Sequence, residues 1–259
     1  PKAARTGPLR RVPLPRLTPG ETAELIASLK INPSRVHRLQ AESGGNPYFL
    51  IELSKSDDAQ GPPQPLADLV RSRVERLGDG ARQVLAAAAV LESDFSLELL
   101  REVTGRDEEE TLTAVESLLS SGILRETGAL LGFSHPLVAG VVRDGLSCLR
   151  RTSLIRRAAS SVEAAHRDRL GPVAGRLGAY YEVLGEDETA ARYFEEAARH
   201  ALSLAAPLEA IGFLRRALDR SPSSDRRLAL ARLLSETGDF DAARGEFETV
   251  LRDAERVDA

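Results

Sequence analysis

His135 stands directly before Pro136, and a proline suited to a first helical turn makes the residue before it the start of a helix. Unpaired N–H groups and the positive end of the helix dipole favour an anion there, and an imidazole that donates a hydrogen bond and titrates near neutral pH suits a phosphate. A histidine that merely ends a hairpin accounts for the same pair. Asn46-Pro47-Tyr48 opens another helix, where cap chemistry alone explains the asparagine and the proline. Nothing else forms a constellation. The four histidines, His37, His135, His166 and His200, are dispersed without a His-Glu-x-x-His pattern, and no nucleophile has a partner base. The carboxylates Glu108 to Glu110 suit an exposed helix start. No Gly-Lys dipeptide occurs anywhere, so the Gly-x-x-x-x-Gly-Lys-Ser/Thr phosphate loop is missing and these residues are not expected to form an enzyme by themselves.

The elements that must position these residues are mostly helical. Residues 8–17 carry three prolines and should be extended. Thr18-Pro19-Gly20-Glu21 reads as a capping box, followed by a helix through Leu25, Ile26 and Leu29. Further helices are predicted over about 34–42 and from Pro47 through Leu53, together a small lid. Residues 56–65 are polar and proline-rich, a solvated linker before a helix over 66–77. Helices then follow over 81–91, 96–103 and 107–121, with a hairpin turning at Thr127-Gly128. Three helices and a two-stranded wing make a winged-helix order. Beyond Arg150 a pattern of small and large residues recurs, Ala190/Phe194/Ala197, Ala210/Leu214/Ala217 and Ala243/Phe247/Val250. It resembles tetratricopeptide-type helix pairs of ~34 residues, although the first two copies lie closer together than that. The expected fold is mostly α, with a helical lid and linker over 1–64, a winged helix with a short β-hairpin over 65–149, and an α-solenoid over 150–259.

Composition agrees. Aromatics are scarce at 4%, so the core must come from many small helix contacts. A net charge of −4 gives no overall attraction to nucleic acid or an anionic membrane. One cysteine, Cys148, allows no internal disulfide and suits the cytoplasm. The chain has no stretch suited to a membrane span or signal peptide. It also lacks methionine, which is expected of a piece of something longer.

The Gly-Asn-Pro-Tyr-Phe-Leu-x-Glu-Leu block at 45–53, the Phe-x-His-Pro-Leu-Val block at 133–138 and Arg-x-x-Leu at 151–154 appear in the order lid, winged helix, repeats. In that order the chain resembles the central region of STAND-class signal-transduction ATPases, the group that includes the large LuxR-type transcriptional regulators. The resemblance implies that Pro47 packs against an adenine base, with Asn46 and Tyr48 on the same wall, and that His135 senses the phosphates of ATP or ADP. It also implies a preceding ATPase module as partner, a protein or small-molecule inducer on the repeats, self-association, and an output module elsewhere. Three positions depart from the family pattern. Ser134 and Ala139 stand where arginines are common, and Ile155 where a histidine often follows, which lowers the positive charge near the phosphates and implies weak binding or binding without hydrolysis.

Two rival readings remain at this point. One is an interaction scaffold built on the repeats without nucleotide dependence. The other is DNA reading by the helix over 107–121, which its acids Asp107, Glu108, Glu109, Glu110 and Glu116 oppose. The basic cluster Arg150, Arg151, Arg156 and Arg157 reads as a solvated face pairing with acids such as Glu163, or, for Arg151, as a brace between the winged helix and the repeats.

Overall fold

The computed structural model describes residues 16–54, 64–92 and 94–257. The extended segment, apart from Arg16 and Leu17, and most of the linker lie outside them.

The first helix, α1 (Pro19–Ser28), begins at the capping box read from the sequence. Thr18 Oγ1 accepts from the Glu21 N–H at 3.3 Å, and Glu21 Oε2 accepts from the Thr18 N–H at 2.8 Å. After a 3-10 turn at Pro33–Arg35 come α2 (Val36–Ser43) and α3 (Pro47–Ser54). Ile26, Leu39, Phe49, Leu50 and Leu53 bury their side chains together, with Leu66 from the next helix, in a small core of their own. That next helix, α4 (Gln64–Glu75), starts before the predicted position because Pro65 is tolerated in a first turn, where its missing N–H costs no helical bond.

The middle of the chain is three helices followed by a two-stranded hairpin, the order expected from the sequence. Its helices are α5 (Asp79–Leu91), α6 (Leu97–Thr104) and α7 (Glu108–Ser120), and the hairpin pairs β1 (Leu124–Thr127) with β2 (Leu130–Phe133). The register sets Leu124 opposite Phe133 and Thr127 opposite Leu130, and a bridge from Phe95 to Leu131 adds a third short edge. Leu124, Leu131 and Phe133 enter the core formed around α5, where Val84 through Leu91 are all buried. The acids at the start of α7 are answered from outside the helix. Arg106 holds Glu110 at 2.7 Å, Arg101 approaches Glu108 at 3.4 Å, and Asp107 caps the helix.

The same core continues through α8 (Pro136–Asp144) and α9 (Cys148–Ala165) to α10 (Gly171–Leu184), so the first helices after Arg150 share apolar packing with α5 to α7 and the hairpin. Then come α11 (Asp187–Ser203), α12 (Pro207–Arg220), α13 (Ser224–Glu236) and α14 (Phe240–Val257), each packed on its neighbours in sequence with short turns between, as in a solenoid. The recurring residues point inward: Ala190, Phe194, Ala197, Ala210, Leu214, Ala217 and Ala243 are buried, while Phe247 and Val250 are half-buried. α11 packs against both α10 and α12, so the helix is shared between pairs, which explains the short spacing of the first two copies.

The basic cluster on α9 divides by direction. Arg157 donates to the Thr104 carbonyl at 2.8 Å, closing the end of α6. Glu163 pairs with tyrosines rather than arginines: Tyr181 and Tyr193, rings stacked with centroids 5.5 Å apart, both donate to its Oε1, at 2.7 and 2.6 Å. Partial burial and the carboxylate bond push their hydroxyls far above the usual phenol range. Further along, Arg226 is 8% exposed and bonds Glu195 at 2.6 Å and Glu188 at 2.8 Å, clamping α13 to α11.

Candidate functional site: the joint between lid and winged helix

His135 ends the hairpin and caps α8. Its extended backbone precedes Pro136 in the first turn, and its Nδ1 accepts from the Leu137 N–H at 3.2 Å. A ring that accepts at Nδ1 carries its proton on Nε2 when neutral. The ring is only 4% exposed, and the lid covers it. Phe49 of α3 meets it edge-on with centroids 4.4 Å apart, and a Cβ placed on Gly44 would lie 3.5 Å from its Cδ2.

Arg16 closes the joint. Its guanidinium donates to the Gly44 carbonyl at 2.9 Å and to the Ser134 carbonyl at 3.0 Å, tying the lid to the residue before the histidine. Beside it the Leu17 N–H donates to the Gly45 carbonyl at 2.8 Å. Gly45 has φ +73°, and a Cβ there would sit 2.5 Å from the Leu17 carbonyl oxygen, so both conformation and space demand glycine. Gly45→Ala is expected to destabilise the lid by about 1–3 kcal/mol through strain and lost packing. Raised amide exchange over 16–50 checks it, and unchanged exchange would contradict the close approach.

The imidazole is electrostatically uncomfortable. Burial lowers its pKa from the usual histidine range, the Ser43 carbonyl opposes that shift in part, and the Arg16 charge adds to it. Although the Ser43 carbonyl faces the ring, Nε2 makes no hydrogen bond of normal geometry and is a buried donor without a partner among the described residues. The consequence for stability has a definite sign. Above the unfolded pKa of about 6.5 both states hold the neutral ring and the joint keeps its full stability. As pH falls below that, the opened state takes up the proton first, and stability is lost progressively down through the depressed folded pKa. Lid amide protection factors, taken relative to the intrinsic exchange rate at each pH, should therefore fall between pH 7.5 and 5.5 in the wild-type chain, and His135→Ala should flatten the change. An equal response in both would assign it to other groups.

The residues singled out from sequence are placed as follows. Asn46 is half-buried, and its Oδ1 accepts from the N–H groups of Tyr48 at 3.0 Å and Phe49 at 3.4 Å, capping α3. Pro47 is exposed in the first turn, and Tyr48 is 46% exposed with its ring 6.4 Å from that of Phe49. Lid and histidine meet, but through Phe49, Gly44 and Arg16. Pro47 and Tyr48 face solvent beside that contact. Nε2 is closed to solvent, with Gly44 beside the ring. Of the departures from the family pattern, Ala139 and Ile155 are buried in the core, while Ser134 receives the Arg16 guanidinium on its carbonyl. A positive charge thus lies next to the histidine from a residue that sequence reading passed over. Arg16 carries no local signal in the sequence, whereas Phe49 and Gly44 lie within or beside the block already noticed.

No group of histidine, cysteine or acidic side chains among the described residues could hold a metal ion. No described helix is long and apolar enough to cross a membrane.

No protein-family model matches the chain. It is 29% identical over 196 residues to the uncharacterized protein R02095 of Rhizobium meliloti (strain 1021), an alignment covering 68% of this chain and 19% of that protein. Among solved structures it is similar, at 16% identity and a TM-score of 0.33, to the Signal Transduction ATPase with Numerous Domains (STAND) protein with a tetratricopeptide repeat sensor PH0952 from Pyrococcus horikoshii. That match covers 94% of this chain and 42% of the other, so the chain spans well under two thirds of either protein.

Proposed function

We propose that this chain is the non-catalytic regulatory and signal-transmitting part of a nucleotide-dependent switch protein of the STAND class, with a LuxR-type transcriptional regulator as the parent. The observation that carries the reading is the buried Nε2 donor of His135, unpartnered at the contact between lid and winged helix. A donor held without an acceptor stands to gain from a phosphate oxygen, and the contact around it is small enough to be opened. ATP or ADP would be bound chiefly by an ATPase module outside these residues, with Pro47 against the base and His135 at the phosphates. A protein or small-molecule inducer on the repeats would bias exchange of ADP for ATP, release the winged helix and expose surfaces for self-association. The setting would be cytoplasmic, and DNA would be read by a separate output module.

The test is titration of labelled ADP into the protein joined to its nucleotide-binding module, wild type against His135→Ala and Pro47→Ala. Loss of one charge-assisted hydrogen bond should weaken ADP by about tenfold or more in the histidine variant. Unchanged affinity in both variants would favour the interaction scaffold. One observation supports that rival specifically: Asn46 Oδ1 and His135 Nδ1 are already engaged as helix caps.

A further inference from the structure

One face of α14 lies open. The helix packs on α13 through Ala243, which is buried, and through Glu246, which holds Arg227 of α13 at 3.0 Å. On the side turned from α13, Phe240 is 65% exposed and Leu251 64%, with Phe247 half-buried between them at helical spacing. The internal repeat shows what such a face meets elsewhere. The match of Ala190, Phe194 and Ala197 with Ala243, Phe247 and Val250 sets Ala191 against Arg244 and Ala198 against Leu251. On α11 those positions are buried beneath α12: Ala191 and Phe194 pack with Phe213 and Ala217, and Ala198 with Ala210, Ile211 and Leu214. Two alanines let α12 approach closely, whereas an arginine and a leucine hold a neighbouring helix farther off and put a charge at the contact. Along the edge of the apolar stripe run Arg244, Glu248, Arg252 and Glu255, alternating in sign. Arg244, Glu248 and Glu255 form no ion pair among the described residues. Arg252 donates to the Glu248 carbonyl and the Thr249 hydroxyl of its own helix.

We propose that this face of α14 is a self-complementary contact on which a second copy of the chain docks, its α14 antiparallel to the first. A two-fold contact presents the same patch from both partners, so the charges along its edge must complement their own reverse. Read from the other end, positive, negative, positive, negative becomes negative, positive, negative, positive. Arg244 therefore meets the partner's Glu255, and Glu248 meets the partner's Arg252, each pair occurring twice by symmetry. The same register brings Phe247 within a turn of the partner's Leu251, which covers the apolar stripe. The contact needs no nucleotide, lies on a helix outside the joint around His135, and stands whether or not the nucleotide reading holds.

Sedimentation equilibrium of the chain over a concentration series tests it, and a monomer–dimer equilibrium is expected. Arg244→Glu, which sets like charges face to face at both symmetric contacts, should weaken association by about tenfold. Leu251→Glu should weaken it by about as much. Leu208→Glu, the same change at an exposed leucine of α12, should alter it less than about twofold. The decisive variant carries Arg244→Glu together with Glu255→Arg. Those positions lie about 16 Å apart along one helix, too far to pair within a chain, so recovery of the wild-type equilibrium reports contact between copies. If Arg244→Glu loses helical circular dichroism, Glu255→Arg serves in its place as the single variant. A further helix lying on α14 as α12 lies on α11 is the other occupant, and it predicts a chain that stays monomeric. A monomer up to about 1 mM, equal weakening by the variants at 208 and 251, or no recovery in the double exchange would overturn the proposal.

Discussion

Phe194→Ala is expected to cost the repeat region about 3–5 kcal/mol, the range for removing a buried aromatic side chain. Phe194 is fully buried where α10 meets α11, and its ring faces Phe213 at 6.3 Å and the Arg216 guanidinium at 4.1 Å. The approach is close because α10 presents Gly178 there; a Cβ at that position would lie 2.5 Å from the ring. Removing the ring leaves a cavity that this backbone contact cannot easily close, and it strips Arg216 of its aromatic partner. Gly178→Leu attacks the same contact from the other side by overfilling it, at about 1–3 kcal/mol or more. In a solenoid each helix pair depends on its neighbours, so both lesions should melt α11 and α12 before the winged-helix core. Denaturant unfolding measures the cost, and a loss below about 1 kcal/mol for Phe194→Ala would show that the contact does not hold the repeats together.

The second large effect is expected at Phe49, for a different reason. Phe49 belongs to the lid's own small core, which includes Leu66 of α4 and is flanked by Leu137 of α8. Its ring is also the apolar surface on which His135 rests. Phe49→Ala should remove about 3–5 kcal/mol from the lid and expose the imidazole together with it. The global transition should move less, because the core around α5 does not include Phe49. Amide exchange should rise steeply over 19–54 while α5 to α7 keep their protection. Uniform loss of protection across both regions would mean that lid and body form one cooperative unit.

The parts of this architecture that follow from nearby residues were legible before any coordinates. The Thr18/Glu21 box, the Asn46-Pro47 and His135-Pro136 helix starts, the turn at Gly128 and the small-large pattern of the repeats each act within a few residues. The joint was legible only in outline. Arg16 reaches carbonyls 28 and 118 positions away, and no local pattern specifies such partners. Glu163 was expected to answer arginines, yet two tyrosines on later helices satisfy it. Arg151 reads from the sequence as one of a basic run along α9 or as a brace toward the repeats, and its side chain lies beside Arg143 of α8 and Arg176 of α10. In each case the missing information was which helix lies alongside, a question settled by packing rather than by sequence spacing.

The central claim is that the contact around His135 is the element a nucleotide biases. Hydrogen–deuterium exchange over 43–49 and 134–138, measured with and without ADP in the protein joined to its nucleotide-binding module, tests it most directly. The account predicts that ADP alters protection in both segments together and that His135→Ala abolishes the change. Identical protection with and without ADP, or the same response in His135→Ala, would contradict it.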